Sequence, residues 1–276
     1  MAREAFYVPH HSMGPTIGQA ESYEKAASTI MESSPQAHPR ILAIRHGESE
    51  WNVLHRKYPT EEERYHPRMW TIDCGLTERG VDQAKQAGLE LEQQTLPDGV
   101  DLVVVSPLRR ALDTAQHIVH EFHNHKRESK LATKIPLVQI SKDAAEVMVD
   151  PCDIGSTPRQ LEIDYPQRDF SNLEQHWWHG GKSPSEALKS MVERKGLETA
   201  KDAQARIQGR LLDYLKGEAK NFSTIVIVCH RDTIWWLTRT QHENGEYFGQ
   251  RAENGEILDI TDHVLGHKQQ PRRVHD

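Results

Sequence analysis

A chain of 276 residues is long enough for one large domain or two small ones. A net charge of −7 and a pI near 6.2 argue against a nucleic-acid partner, which would favour a basic face. No apolar run approaches the length of a membrane span, and the opening stretch Met1–Gly14 lacks an apolar signal core. Neither a membrane partner nor export is therefore expected.

The mean hydropathy of −0.73 is polar for a compact enzyme and predicts solvated terminal segments. Residues 1–38, rich in Ser, Pro, His, Glu and Ala, are expected to form a polar extension, with one short helix near Glu21–Met31. A domain over 39–265 and a polar tail over 266–276 follow. The cysteines Cys74, Cys152 and Cys229 form no C-x-x-C pair. Scattered thiols of this kind suit a reducing compartment, so a cytoplasmic or nuclear location is expected. The sequon Asn221-Phe222-Ser223 is then a chance match. Oligomeric state is not encoded in any pattern we recognise.

In chain order, Ile41–Ile44 is a short apolar run read as a buried strand, ending in Arg45-His46-Gly47. Glu78–Gln94 has helical spacing, with Val81, Ala84, Gly88 and Leu91 on one face. Leu102–Val105 is a second strand. Ser106-Pro107 then supplies an N-cap and a first-turn proline for a helix over Pro107–His125, whose Leu108, Ala111, Leu112, Ala115, Ile118 and Val119 share a face. Leu137–Ile140 is a third, shorter strand. Residues 185–217 read as two helices broken near Gly196, Ile225–Val228 as a fourth strand, and Ile257–Ile260 as a weak edge strand. Strands alternating with helices imply an α/β three-layer sandwich, with a mainly parallel central sheet and helices on both faces.

Three of these strands run into cationic residues: Arg45 and His46, then Arg109 and Arg110, then His230 and Arg231. In a parallel sheet those ends share one edge, where open α/β proteins bind ligands. The pattern predicts an anion site of two imidazoles and at least two guanidiniums, whose forks suit phosphate oxygens. A helix starting at Ser106-Pro107 would aim its free N–H groups at the same edge.

Arg45-His46-Gly47-Glu48-Ser49-Glu50-Trp51-Asn52 after an apolar strand resembles the first motif of the histidine phosphatase superfamily, also called phosphoglycerate mutase-like. Leu76-Thr77-Glu78-Arg79-Gly80 resembles its L-T-x-x-G. Ser106–Ala115 resembles its S-P-L-x-R-A-x-x-T-A, which makes Arg110 the phosphate-binding arginine and leaves Arg109 in the variable position. Glu146 followed by Pro151-Cys152-Asp153, and Tyr165-Pro166 followed by Asp169-Phe170-Ser171, resemble segments of plant and fungal phosphoglycerate mutase-like proteins. The resemblance spans roughly Arg40 to Leu237. Two departures stand out. His230 is followed by Arg231 where the family often has glycine, and the F-G-x-W-E-G stretch after the acid is absent.

The resemblance implies hydrolysis of a phosphate monoester of a small phosphorylated substrate. His46 is the nucleophile that becomes phosphohistidine, its other nitrogen held by a backbone carbonyl. Arg45, Arg110 and His230 clamp the phosphoryl oxygens, Asn52 adds a neutral hydrogen bond, and Glu146 is the general acid, with Asp153 in reserve. No metal and no other cofactor is required. The alternatives are phosphoglycerate mutase-type phosphotransfer and a non-catalytic phosphatase-like binding module.

Other features have plainer readings beside functional ones. His117, His120, His123 and His125 read as a solvated helix end rather than metal ligands. His176–Gly181 is either a core segment with two indoles or a lid over the substrate, and Trp235-Trp236 is core. Lys57, Arg64 and Arg68 lie in a charged insertion, and Arg231 either faces the pocket or turns outward to Asp232.

Overall fold

The computed structural model describes residues 38–58, 60, 71–95, 99–129, 136–241, 247–266 and 272–273. The expected helix near Glu21–Met31, the side chains of Arg64 and Arg68, and most of the C-terminal tail lie outside the described residues. Strands β1 (Arg40–Arg45), β2 (Leu102–Val105), β3 (Leu137–Ile140) and β4 (Thr224–Cys229) pair in parallel in the order β3-β2-β4-β1. A short ribbon of β5 (Thr240–Gln241) and β6 (Tyr247–Phe248) stands apart. Strand β7 (Ile257–Asp259) lies antiparallel beside β1, and β8 (Arg272–Arg273) pairs outside it. The segment expected as an edge strand is thus an inner strand, because backbone beyond the apolar pattern covers its far side.

The strands read as unbroken apolar runs because both faces of the sheet are covered. Alternate residues Leu42, Ile44, Val103, Val105, Val226 and Val228 enter one core, and Ile41, Ala43, Leu102, Val104, Ile225 and Ile227 enter the other. Helix α1 (Glu50–Lys57) packs Trp51 and Leu54 in a separate small cluster with Cys74 and Cys152, and the first core is closed mainly by α2 (Glu78–Thr95) and α3 (Arg109–Ser129), through Ala87, Leu91, Ala111, Ala115 and Ile118. The helices α4 (Pro158–Asp164) and α5 (Pro184–Val192) follow, contributing Leu161, Ala187 and Met191 to the same core.

The second core is closed by α6 (Ala200–Ala203), a π-helical segment Gln204–Leu211, α7 (Leu212–Lys216), α8 (Arg231–Thr238) and α9 (Thr261–Leu265). Ile207, Leu211, Leu215, Ile234 and Val264 fill it. Burying each such aliphatic side chain contributes roughly 1.5–3 kcal/mol, so the two cores dominate the stability of the sheet. Gly196, with φ +85°, sits in the break expected between α5 and α6.

Candidate active site

The carboxyl ends of β1, β2 and β4 do share one edge. The backbone N–H of His46 donates to Cys229 O at 3.0 Å, which registers the end of β1 against the end of β4. The His46 ring is buried. Its Nδ1 donates to Gly47 O at 2.7 Å, which leaves the Nε2 lone pair free. Burial first, and then Arg110 and Arg45, hold its pKa well below the usual imidazole value, so the ring is neutral. Gly47 is needed for a steric reason: a Cβ there would stand 2.2 Å from Gly80 O, where α2 packs against the turn. Thr77 opens α2 by accepting the Gly80 N–H at 3.1 Å, as the L-T-x-x-G spacing predicts.

Arg110 is buried at the start of α3. Its Nη1 donates to Cys152 O at 2.7 Å and its Nη2 to Asp153 Oδ1 at 2.9 Å. Arg109, in the position expected to vary, points elsewhere and reaches Ser156 and Asp164. One local expectation needs correction. The helix begins at Arg109, two residues later than the Ser106-Pro107 cap predicted. Ser106 Oγ instead meets His230 Nε2 at 2.8 Å and lies only 3.3 Å from the Leu108 N–H. An oxygen that accepts from Leu108 can give its own proton to His230 Nε2. In that arrangement the His230 proton sits on Nδ1, an atom with no protein partner. The His230 ring is fully buried, and its centroid is 5.0 Å from that of His46.

Glu146 lies on the irregular chain after β3. Its Oε1 accepts from Val147 N (2.9 Å) and Thr233 N (3.2 Å), and its Oε2 from Asp232 N (3.4 Å), at the first turn of α8. Burial first, then repulsion from Asp232 and Asp153, push its pKa up to about 8. Asp153 is committed differently: Oδ1 takes Arg110, while Oδ2 takes the N–H groups of Val149 (3.1 Å) and Asp150 (2.8 Å). Burial raises its pKa to about 6, with Arg110 pulling the other way.

A cavity of about 100 Å³ lies among these groups, with the fully buried His230 behind its wall rather than on it. Arg45, His46, Asn52, Arg110, Glu146 and Asp153 all line it. At roughly 30 Å³ per water, it suits a group the size of a few waters. Arg45 Nη1 is anchored on Ala252 O at 2.9 Å, and its buried Nε has no protein partner. Asn52 closes a reciprocal cap with Ser49. Its Oδ1 is occupied by Ser49 and by Asn254 Nδ2 (3.1 Å), so its own N–H groups remain to donate. The arrangement offers one unprotonated ring nitrogen, several N–H donors for oxygen, and a carboxyl that is protonated near neutrality.

A model of the histidine phosphatase superfamily (branch 1) matches residues 41–132, from β1 through α3. A protein of Schizosaccharomyces pombe named as a probable phosphatase is 30% identical over 139 residues, covering 48% of this chain and 51% of that protein. A 2,3-bisphosphoglycerate-dependent phosphoglycerate mutase of Staphylococcus aureus is 31% identical over 83 residues, covering 30% of this chain and 31% of that one. The chain thus spans about half the length of the first relative and less than a third of the second. The mycobacterial glucosyl-3-phosphoglycerate phosphatase complexed with VO3 aligns at 20% identity over 86% of this chain and 97% of its own, with a TM-score of 0.46.

Beyond the histidine phosphatase motifs, Asn254, Ala252 and His55 join the site without any sequence signal we recognise. Asn254 Nδ2 also holds His46 O at 2.9 Å. Arg231 combines its two expected orientations: it lines the cavity, yet its Nε donates to Asp232 Oδ1 at 3.2 Å. Trp177 and Trp178 are both buried core residues and walls of a second cavity of about 270 Å³, which shares Glu146 and Asp153 with the first. Trp236 is core, and the Arg239 guanidinium lies over its ring at 4.3 Å. The side chains of His123 and His125 lie outside the described residues.

Proposed function

We propose that the chain is a phosphatase that hydrolyses a phosphate monoester through a phosphohistidine on His46. The observation that carries the reading is the His46 ring: Nδ1 is spent on Gly47 O, and Nε2 is free, neutral and surrounded by cations. The Nε2 lone pair attacks phosphorus as the bond to the leaving oxygen breaks. Glu146, with a pKa of about 8, gives its proton to the departing alkoxide. Its carboxylate then takes a proton from water as that water attacks phosphorus, the N–P bond breaks, and phosphate leaves.

Arg45, Arg110, His230 Nδ1 and Asn52 meet the phosphoryl oxygens, and positioning of this kind is most of what phosphoryl transfer needs. Asp153, with both oxygens engaged, orients Arg110 rather than moving protons. The guanidiniums supply the charge a divalent ion would supply elsewhere, so excess chelator should leave turnover intact. The catalytic unit is residues 39–265. The three free thiols support a reducing compartment, cytosol or nucleus.

Rapid acid-free quenching with a labelled ester should trap label on His46 that is stable in alkali and lost in acid. Label on a serine, or undiminished labelling of His46→Ala, overturns the reading. The mutase-named relatives motivate one further assay. Release of inorganic phosphate from 3-phosphoglycerate, without formation of 2-phosphoglycerate, separates hydrolysis from phosphotransfer back to the substrate.

A further inference from the structure

The chain between β3 and Asp153 has no sheet partner to fix it, yet it must hold the Glu146 carboxyl in register with the phosphate cavity. One buried ion pair, remote in sequence, does the holding. Arg206 Nε and Nη2 each donate to a different oxygen of Glu198 at 2.8 Å. The remaining donors of that guanidinium all go to carbonyls of one short segment: Nη1 to Asp143 O (2.9 Å) and Ala145 O (2.8 Å), and Nη2 to Glu146 O (3.2 Å). Glu198 grips the other side. Its Oε2 accepts from Met148 N at 3.1 Å, and its backbone N–H donates to Met148 O at 3.0 Å. Glu146 is therefore bracketed on both flanks by partners of one pair, each less than a tenth exposed.

Two physical arguments separate this pair from ordinary stabilisation. A buried ion pair is weak evidence for stability, because desolvation offsets most of the attraction. A guanidinium that spends its donors on three carbonyls of one segment instead fixes that segment's geometry, as no lysine ammonium could. Arg206 also stands in the π-helical segment Gln204–Leu211, inside an otherwise α-helical run from Ala200 to Lys216. Such wide turns are rare and recur where a side chain must be re-aimed for function.

We propose that the Arg206–Glu198 pair positions the general acid: it sets the backbone of residues 143–148 and, through it, the aim of the Glu146 carboxyl. The proposal rests on the reading of Glu146 as the acid. Neither Arg206 nor Glu198 lines the phosphate cavity, although both line the adjoining cavity of about 270 Å³; in this proposal they act on the reacting phosphoryl group through Glu146.

The test compares wild type, Glu146→Gln, Arg206→Met and the double variant on two esters, 4-nitrophenyl phosphate and an alkyl phosphate, with the melting temperature recorded for each. The nitrophenolate leaves without help, whereas the alkoxide needs a proton. Arg206→Met should lower kcat on the alkyl ester by about 10²-fold, the scale expected of a misplaced catalytic group, and on the aryl ester by less than about threefold, with KM little changed. Added to Glu146→Gln, it should cost almost nothing further on the alkyl ester, since the acid it positions is already gone. Arg206→Lys should restore little.

Equal losses on both esters, or additive losses in the double variant, overturn the positioning role while leaving the acid reading standing if Glu146→Gln alone is selective. A Glu146→Gln variant with no preference between esters overturns the acid reading and the positioning role with it. Should Arg206→Met fail to fold, Glu198→Gln removes the charge of the same pair while keeping its size. It is then held to the same selectivity criterion.

Discussion

The proposed phosphate clamp and the segment that bears the proposed acid adjoin one cavity but are built in opposite ways. The clamp is rigid by construction. Arg45, His46 and His230 emerge from parallel strands whose backbones are hydrogen-bonded to neighbours, and Arg110 sits at the start of a packed helix. The acid lies on irregular chain, placed by the first turn of α8 and by Arg206 and Glu198, some 50 to 90 residues away. Charge that must always be present is carried by the sheet. The carboxyl proposed to give and retake a proton is carried by a segment held through side chains from elsewhere in the chain. The comparison predicts two kinds of variant: damage to the clamp lowers activity on every ester, and damage to the acid segment discriminates among leaving groups.

The largest effect is expected from His46→Ala, about 10⁵-fold in kcat on aryl and alkyl esters alike, with no trapped phosphoenzyme. A steady-state assay on both esters checks it, and residual turnover within tenfold of wild type would break the clamp side of the comparison. Next comes Arg110→Lys. It keeps a charge beside Asp153 but loses the fork that reaches Cys152 O and Asp153 Oδ1 together, and kcat/KM should fall about 10²–10³-fold without leaving-group preference. Truncation to alanine would be less informative, because it strands the buried Asp153 carboxylate without its partner.

Glu146→Gln should cost about 10²–10³-fold on an alkyl ester and less than about tenfold on an aryl one. The wild-type alkyl rate should decline as pH rises through about 8, where Glu146 loses its proton, and the variant should lack that limb. Stability has a matching sign. The folded value is raised above the ordinary 4.5, so wild type loses stability as pH climbs from there towards 8 and levels off above it. The melting temperature of Glu146→Gln relative to wild type should therefore be higher at pH 8 than at pH 4. A difference independent of pH would show that the carboxyl is not held protonated by the fold.

The smallest effect should come from Ser106→Ala, about tenfold in kcat/KM on both esters. It removes the hydrogen-bond partner of His230 Nε2 while leaving the ring in place. Loss confined to the alkyl ester would move Ser106 to the acid side of the comparison.

Legibility in the sequence follows the same division. The four residues of the proposed clamp could be placed at one edge from the sequence because apolar runs reveal strands, and residues that end parallel strands share an edge. Glu146 was singled out only through its resemblance to a known motif. Nothing in Lys142–Asp153 discloses that Asp232 and Thr233 would supply N–H groups to it, or that Asp153 would be taken by Arg110. Asn254 and Ala252 were not found at all. They hold the His46 carbonyl and the Arg45 guanidinium from a loop roughly 200 residues away, and a loop has no period to read. Ser106 was read as a helix cap, the usual use of such a serine. The helix starts two residues later, and the hydroxyl serves His230.

By itself the sequence determined the layered α/β fold and the edge where cations gather. These depend on side-chain period and strand ends, both of which are local. Only the tertiary structure decided which carboxyl has its pKa raised most, which oxygen each imidazole meets, and what brackets Glu146. Those properties are sums over neighbours brought close by folding. A pKa depends on burial and on charges from distant segments, and a tautomer depends on whichever oxygen arrives at the other nitrogen.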